Sequence, residues 1–432
     1  MEDIRVIAQR TKDALERLGA QKAQYKVTMT ETHEFNVDGG EFSLFRTLYD
    51  NSLSVTAYKD NKKGSAVTNK LDKEAIDETI GVCLKTAESG IADEAYDFAP
   101  GQEPECFREG CYEPDVDGLF ERTKELMEEI RIRHPKIIVE QLIVSHEKSH
   151  TLYQNTKGAE FEVFAGAYNL SIMFSAHEGE QTTSFFGCDA KTDKLDIPFI
   201  ELGSVERELS DAEAQLATVP FSGKWEGVAV LTPGALASLL SSALYNFASD
   251  SVILDKTSIW LDKLNQKVAD EKLTVSIAPG DSRICCGERF TNDGFKSENY
   301  DIIKDGVLLS YMLSLYVANK SGYERAKNSS YSFVVEGGDA SYDDIIRQIK
   351  KGIVVGRFSG GNPGTNGDFS GSAKNSFLIE DGKIKGAVSE VMISGNLSEM
   401  LQNIVAVSSE TVEDGGMVLP YIAVDKIVIS GK

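Results

Sequence analysis

The order of hydrophobic and polar positions divides the first half of the chain into helices that alternate with strand-rich stretches. Apolar residues recur at helical spacing over residues 3–19, 72–89, 115–132 and 204–217. Residues 24–57 and 136–200 lie between them and show the alternation that is typical of β-strands, with hairpin signals at 38–40 and 155–158. Residues 91–113 are rich in Pro, Gly and acidic side chains, which predicts a linker.

The second half of the chain is richer in glycine and in short strand-like runs. Helices are predicted near 233–249, 341–351 and 397–407, and residues 354–375 are predicted to be loop-like. These patterns predict an α+β protein. We expect an N-terminal α/β domain at 1–102, a strand-rich middle domain at 103–220 and a β-rich C-terminal domain at 221–432.

The net charge and the composition of the chain argue against several classes of function. The formal net charge is -23, which disfavours direct binding to nucleic acid or to an anionic membrane. No apolar run approaches the roughly 18–20 residues that span a bilayer. The charged N-terminus has neither a signal-peptide core nor the composition of a transit peptide, so the prediction is a cytoplasmic protein.

The chain has 6 cysteines and no CxxC pair, which favours free thiols over a metal knuckle. Cys285 and Cys286 are adjacent and are predicted to lie in a strand. Neighbouring side chains of a strand point to opposite faces of the sheet, so we expect these two thiols to point apart.

His146-Glu147-Lys148-Ser149-His150 matches HExxH, which on a helix places both histidines on one face to bind zinc beside a glutamate base. The upstream stretch 136–145 is rich in β-branched residues, and 151–153 leads into a hairpin turn. On a strand, His146 and His150 would share a face but lie about 13 Å apart. We therefore interpret them as solvated strand or loop histidines. The alternative hypothesis is that they bind zinc and make the chain an autonomous metallopeptidase.

Residues 359–371 form a glycine-rich stretch, Ser-Gly-Gly-Asn-Pro-Gly-Thr-Asn-Gly-Asp-Phe-Ser-Gly. It lacks the Gly-Lys-Ser/Thr ending of a phosphate-binding loop. Neither Gly-x-Ser-x-Gly nor a GxGxxG after a strand occurs, so hydrolase-elbow and dinucleotide sites have no support. Glycines permit close backbone approach, which would suit an extended peptide that binds through main-chain hydrogen bonds.

A series of short motifs in the C-terminal half resembles one known family. The motifs are Phe290-Thr291-Asn292-Asp293-Gly294-Phe295, Ile303-Lys304-Asp305-Gly306-Val307-Leu308, Ala318…Gly322, Lys351-Gly352-Ile353-Val354-Val355, Gly367-Asp368-Phe369-Ser370, Ile379-Glu380-Asp381-Gly382-Lys383-Ile384 and Ile393-Ser394-Gly395-Asn396-Leu397. Their order and spacing cover most of residues 220–410 and resemble the PmbA/TldD family of modulators of DNA gyrase and zinc metalloproteases.

TldD-like members of that family carry HExxxH on a helix, followed by a late Cys in a Cys-Gly-Lys context. Counting back from Lys263-Leu264…Lys267-Val268-Ala269 aligns the motif with Ser241, Ser242 and Asn246. Serine and asparagine are poor zinc ligands, and Ser242 cannot act as the carboxylate base. The late cysteine is also missing, because residues 413–418 contain no thiol.

The resemblance therefore implies a non-catalytic member of the PmbA (TldE-like) branch that binds no zinc or other cofactor of its own. Its implied partners are a TldD-like, zinc-bearing paralogue or a second copy of itself, and its implied substrates are unfolded or extended peptides. Gly367, Asp368 and Phe369 are candidates for a loop of the peptide channel. The alternatives are an autonomous metallopeptidase and a protein-binding regulator of DNA gyrase.

Overall fold

The structure, a computed structural model, describes residues 3–389 and 391–431. The helices are α1 (Ile4–Arg17), α2 (Lys73–Ser89), α3 (Val116–Arg133), α4 (Val205–Ala214), α5 (Pro233–Ala248), α6 (Asp250–Leu254), α7 (Leu315–Ser321), α8 (Tyr342–Gln348) and α9 (Leu397–Gln402), with a 3₁₀ turn at Phe199–Glu201. Two sheets lie beside these helices, and helix and strand content together confirm the predicted α+β class.

The first sheet is built from residues 22–192. Its strands are β1 (Lys22–Asp38), β2 (Glu41–Lys59), β3 (Lys62–Thr68), β4 (Glu105–Gly110), β5 (Ile137–Asn155), β6 (Glu160–Glu178), β7 (Gln181–Thr182) and β8 (Phe186–Thr192). Their order is β3-β2-β1-β5-β6-β4, and β7 and β8 also pair with β6. The β4–β6 pair is parallel, whereas the long central pairs are antiparallel.

Two apolar cores lie along this one sheet. Helices α1 and α2 pack on the first, around Leu15, Val27 and Ile80, whereas α3 and α4 pack on the second, around Leu126 and Phe174. Strand β1 pairs with β5 continuously from Gln24↔Asn155 to Asp38↔Gln141, so the predicted N-terminal and middle segments share their strands. The division into three domains stays a prediction.

The second sheet is built from residues 223–431. Its strands are β9 (Gly223–Leu231), β10 (Val275–Ile277), β11 (Tyr300–Lys304), β12 (Val307–Leu308), β13 (Phe333–Val335), β14 (Lys351–Val355), β15 (Arg357–Gly360), β16 (Asp368–Lys374), β17 (Ser376–Glu380), β18 (Lys383–Val388), β19 (Val391–Asn396), β20 (Ile404–Glu413) and β21 (Val418–Gly431). Strand β21 is central, because it pairs with β9, β13, β19 and β20. Helix α5 packs against this sheet in the largest apolar core.

Several sequence predictions need correction. The predicted linker at 91–113 contains β4, and the predicted loop-like stretch at 354–375 contains β15 and β16. Helices α6 and α7, of 5 and 7 residues, are not among the predicted helices. Within the described part of the chain, no helix has both the length and the apolar character needed to cross a membrane.

The helix ends follow local signals in the sequence. Asp72 caps α2 by accepting a hydrogen bond from the Ala75 amide at 3.0 Å, and α3 ends at Arg133, two residues before Pro135. Thr232 caps α5, which has Pro233 in its first turn. These boundaries agree with the predicted ones to within a few residues because caps and prolines act locally.

Ion pairs and aromatic contacts join the N-terminal and C-terminal halves of the chain. Lys296 contacts Glu105 at 2.6 Å, and Lys320 contacts Asp93 at 2.7 Å. Phe290 stacks on Phe161, with ring centroids 5.5 Å apart. Strand β4, at the edge of the first sheet, therefore lies against the C-terminal half of the chain.

The contact between β3 and α2 supplies a stability test with a matched control. A Cβ added to Gly64 would lie 2.0 Å from the Cys83 carbonyl oxygen and 2.5 Å from the Ala87 amide nitrogen. Because both atoms are backbone, we expect Gly64→Ala to lower the free energy of unfolding by about 1–3 kcal/mol or more. Gly81 of α2 has no atom within 4 Å of the added Cβ, so Gly81→Ala should raise it by about 0.5–1 kcal/mol. Urea denaturation measures both, and equal effects would contradict this packing.

Candidate functional site

Helix α5 carries the three positions at which the resemblance places a zinc motif. Its apolar face is fully buried, with Leu239, Leu240 and Phe247 each at most 1% exposed. Ser241 and Ser242 are half-buried, and Asn246 is 8% exposed. The helix is therefore held in the core by residues other than the three candidate positions.

The polar groups at these positions are engaged with the backbone. The Ser242 hydroxyl donates to the Ser238 carbonyl at 2.8 Å, one helical turn earlier. The Asn246 side-chain amide donates to the Ser242 carbonyl at 2.9 Å and makes a longer contact of 3.5 Å with the Pro363 carbonyl. These bonds satisfy polar side chains within a helix and bring no charged or imidazole group to the site.

The glycine-rich stretch lies directly against this part of α5. Pro363 is the contact of Asn246, and a Cβ added to Gly367 would lie 2.8 Å from Cζ of Phe247. Gly367 adopts φ +91° and its carbonyl accepts from the Leu397 amide at 2.8 Å. The fold thus places the glycine-rich stretch in contact with helix α5, two segments that the sequence motifs pointed to independently.

The three predicted loop residues have different surroundings. Gly367 is buried against α5, and Phe369 is 5% exposed with its ring edge-on to Phe358 at 5.6 Å. Asp368 is exposed, yet its carboxylate accepts from the Asn366 amide at 2.7 Å and from the Asn396 amide at 2.9 Å. Of these three, only Asp368 presents a side chain to solvent. Its assignment to a peptide channel stays a prediction.

The HExxH stretch lies in the middle of β5, as its flanking residues predicted. His146 is directly opposite His33 of β1 and Tyr168 of β6, and Glu147 points to the other, exposed face. The His146 ring nitrogen Nε2 donates to the Cys111 carbonyl at 2.7 Å. A strand therefore separates the three side chains that a helix would have brought together.

The expectation that both histidines are solvated is wrong for His146. Its side chain is 0% exposed and packs edge-on against Tyr168, because the inner face of β5 is covered at this point. His150 is partly covered, stacks on Phe164 at 4.0 Å and contacts Glu162 at 2.9 Å. A strand alternates between faces, but the sequence does not say which face is covered by other elements.

Cys285 and Cys286 are not in a strand, contrary to the prediction. They occupy a turn between β10 and β11, and Cys286 has a left-handed backbone with φ 51°. Across the ranges 3–389 and 391–431, no group of three or more His, Cys, Asp or Glu side chains is placed to hold a metal ion.

Comparisons with known proteins agree with this architecture. The PmbA/TldA metallopeptidase C-terminal domain matches residues 226–431, and domain 1 of the same metallopeptidases matches residues 27–87. Metalloprotease PmbA of Escherichia coli O157:H7 is 24% identical, over 97% of this chain and 96% of that protein. A metalloprotease of Methanothermobacter thermautotrophicus is 31% identical over 216 residues, 45% of each chain.

Two solved structures share the fold over the whole length. TldE from Thermococcus kodakarensis superposes with a TM-score of 0.83 at 22% identity, covering 98% of this chain and 100% of that one. A candidate modulator of DNA gyrase from Bacteroides thetaiotaomicron gives 0.86 at 24% identity, with 100% of both chains covered. This chain thus has the fold and the matched domains of the PmbA/TldA metallopeptidases. The chain belongs to the PmbA/TldD family, which confirms the resemblance noted in its sequence.

The contact between Gly367 and Phe247 can be tested by substitution. Gly367→Ala places a Cβ on a left-handed backbone and 2.8 Å from the Phe247 ring, so we expect a loss of about 1–3 kcal/mol in unfolding free energy. Gly361 of the same stretch has nothing within 4 Å of the added Cβ, and Gly361→Ala should change stability by less than about 0.5 kcal/mol. Denaturant titration of the two variants measures the difference. Equal, small effects at both sites would contradict both the left-handed backbone of Gly367 and its contact with α5.

The burial of His146 predicts a pH-dependent contribution to stability. Burial lowers the pKa of His146, although the hydrogen bond to the Cys111 carbonyl acts in the opposite direction. Because Nε2 donates that bond, protonation would add a proton to Nδ1, which is buried without a hydrogen-bond partner. Below the unfolded-state pKa of about 6.5, the unfolded chain binds a proton at this histidine that the folded chain does not. The contribution of His146 to the free energy of unfolding is therefore full above that pH and is lost as the pH falls.

We therefore expect wild type to lose stability relative to His146→Gln as the pH falls from about 7 to about 5. The slope should reach at most about 1.4 kcal/mol per pH unit, because one proton is involved. Glutamine keeps an amide donor for the Cys111 carbonyl without a titratable group. Urea denaturation at several pH values measures the difference, and a difference that does not change with pH would contradict the lowered pKa.

Proposed function

We propose that this chain is a non-catalytic, PmbA/TldE-like subunit of a TldD-type zinc metalloprotease. It would support the binding and cleavage of unfolded or extended peptides whose bonds are cut at the zinc site of its partner. The single observation that carries this proposal is the set of side chains on α5. The candidate positions present two hydroxyls and one amide, in a family whose members include metalloproteases.

The chemistry of those side chains supports the non-catalytic role. Zinc in proteins is held by thiolate, imidazole and carboxylate ligands, and its bound water is deprotonated by a general base. Ser241, Ser242 and Asn246 supply none of these groups, and the Ser242 and Asn246 donors are engaged with backbone carbonyls. A small movement of α5 would not create a ligand set.

The position of the glycine-rich loop supports a role in peptide binding. Pro363 and Gly367 of this loop contact the segment of α5 that carries the candidate positions, and Asp368 has an exposed side chain next to Gly367. Strand β15 has a hydrogen-bonded partner on one side only, β16, among the strands that the structure describes. A free edge of this kind can pair with an extended peptide through main-chain hydrogen bonds.

The partner is proposed to be a zinc-bearing paralogue that carries HExxxH, with a homodimer as the state of the isolated chain. The negative net charge of -23 argues against nucleic acid as a direct ligand, and we propose a cytoplasmic location. The names given to the similar gyrase modulators belong to those proteins and do not by themselves assign a gyrase interaction here.

Co-expression with an HExxxH-bearing paralogue from the same genome tests the proposal. We expect the two chains to co-purify, the complex to cleave an unfolded peptide faster than either chain alone, and zinc to be present only with the paralogue. Ser242→Ala in this chain should leave zinc content and cleavage unchanged, whereas replacing the glutamate of the partner motif should abolish cleavage. Absence of a complex, or zinc-dependent cleavage by this chain alone, would refute the proposed role.

A further inference from the structure

The adjacent cysteines 285 and 286 form a pair whose sulfurs point toward each other. Their Sγ atoms are 3.9 Å apart, with the Cys285 thiol directed at the Cys286 sulfur. The left-handed backbone of Cys286, φ 51°, turns its side chain back toward its neighbour. On an extended strand the two side chains would have pointed to opposite faces, so the turn creates the pair.

This dithiol lies where the two sheets meet. The Cys286 sulfur contacts the Gly166 carbonyl of β6 at 3.3 Å, and the Cys285 amide donates to the Gly415 carbonyl at 2.8 Å. A Cβ added to Gly110 of β4 would lie 2.7 Å from the Cys286 sulfur, so the glycine leaves the space that the sulfur occupies. Both cysteines are half-buried.

The two thiols differ in how readily they lose a proton, and this difference favours a ligand that binds sulfur. The Cys285 thiol donates to the Cys286 sulfur, and this hydrogen bond, aided by the nearby Lys191 ammonium, lowers the pKa of Cys286 to about 7. The same interaction and burial raise the pKa of Cys285. The hydrogen bond therefore favours loss of the Cys286 proton before the Cys285 proton when an electrophile binds the pair.

The distance between the two sulfurs fits a single atom bound to both of them. Adjacent Cα atoms are about 3.8 Å apart across a trans peptide, which is shorter than the roughly 4.4–6.8 Å typical of disulfides. In contrast, two sulfurs that each lie about 2.3 Å from one shared atom can be 3.9 Å apart, with an angle at that atom between the pyramidal angle of trivalent arsenic and the linear angle of two-coordinate copper. The two sulfurs are the side-chain ligands that this pair offers, and soft centres bind thiolate sulfur in preference to oxygen.

We infer that Cys285 and Cys286 form a two-sulfur site that binds one soft, thiophilic centre, either a monovalent copper ion or a trivalent arsenical. With an arylarsine oxide, two sulfur–arsenic bonds form, the arsenic–oxygen bond breaks, and the two thiol protons leave with that oxygen as water. With copper, two sulfur–copper bonds form and the thiol protons go to solvent. Neither reaction changes an oxidation state.

The test uses the reduced full-length protein without oxygen, titrated in separate arms with phenylarsine oxide and with monovalent copper buffered by a chelator. We expect one equivalent to bind in at least one arm, and the arm with the tighter binding identifies the preferred centre. Cys285→Ser and Cys286→Ser should each weaken binding by about 100-fold or more, because the second sulfur binds intramolecularly. Cys106→Ser, which removes an exposed thiol elsewhere, should bind like wild type.

A measurement on the unaltered protein guards against variants that fold poorly. Bound phenylarsine oxide or copper should protect Cys285 and Cys286 together from alkylation, as located by peptide mass spectrometry, and should leave Cys106 reactive. Failure of both ligands to bind, or protection of other cysteines instead, would overturn the inference. So would single-cysteine variants that bind within about twofold of wild type. The outcome is independent of the proposed protease role, because it is measured on the isolated chain.

Discussion

Burial of the apolar face of α5 is the constraint on which the C-terminal half depends. Leu236, Leu240 and Phe247 are among the side chains that this helix places in the largest core, each at most 1% exposed. Each fully buried side chain of this size contributes about 1.5–3 kcal/mol relative to exposure. This packing uses the apolar side chains of the helix, so α5 can keep its position whatever polar residues stand at 241, 242 and 246.

The same helix also determines where the glycine-rich loop lies. Phe247 fills the space beside Gly367, and the backbone of the loop is then joined to α9 through the Leu397 amide. A side chain at Gly367 would collide with the helix. The candidate peptide-binding loop therefore contacts the part of α5 that carries the candidate positions, which is why we propose a shared role in peptide binding.

Much of the architecture could be predicted from local signals. Asp72 caps α2, and Pro135 follows the end of α3, because caps and prolines act within a few residues. β-branched flanks were enough to place His146 on a strand and to rule out a helical zinc motif. The prediction missed the strands within 354–375, and it also failed where the deciding contacts are distant in sequence: the burial of His146 and the turn at Cys285.

The sequence by itself determined which chemistry is available, because the residue types at 241, 242 and 246 are independent of conformation. It also determined the helical and strand periods and the family motifs. Only the tertiary structure decided which groups meet: Asn246 with Pro363, the sulfur of Cys286 with Gly166, and His146 with the Cys111 carbonyl. Such pairings join residues 35 to 120 positions apart, where strand register and helix packing, rather than local preference, determine the neighbours.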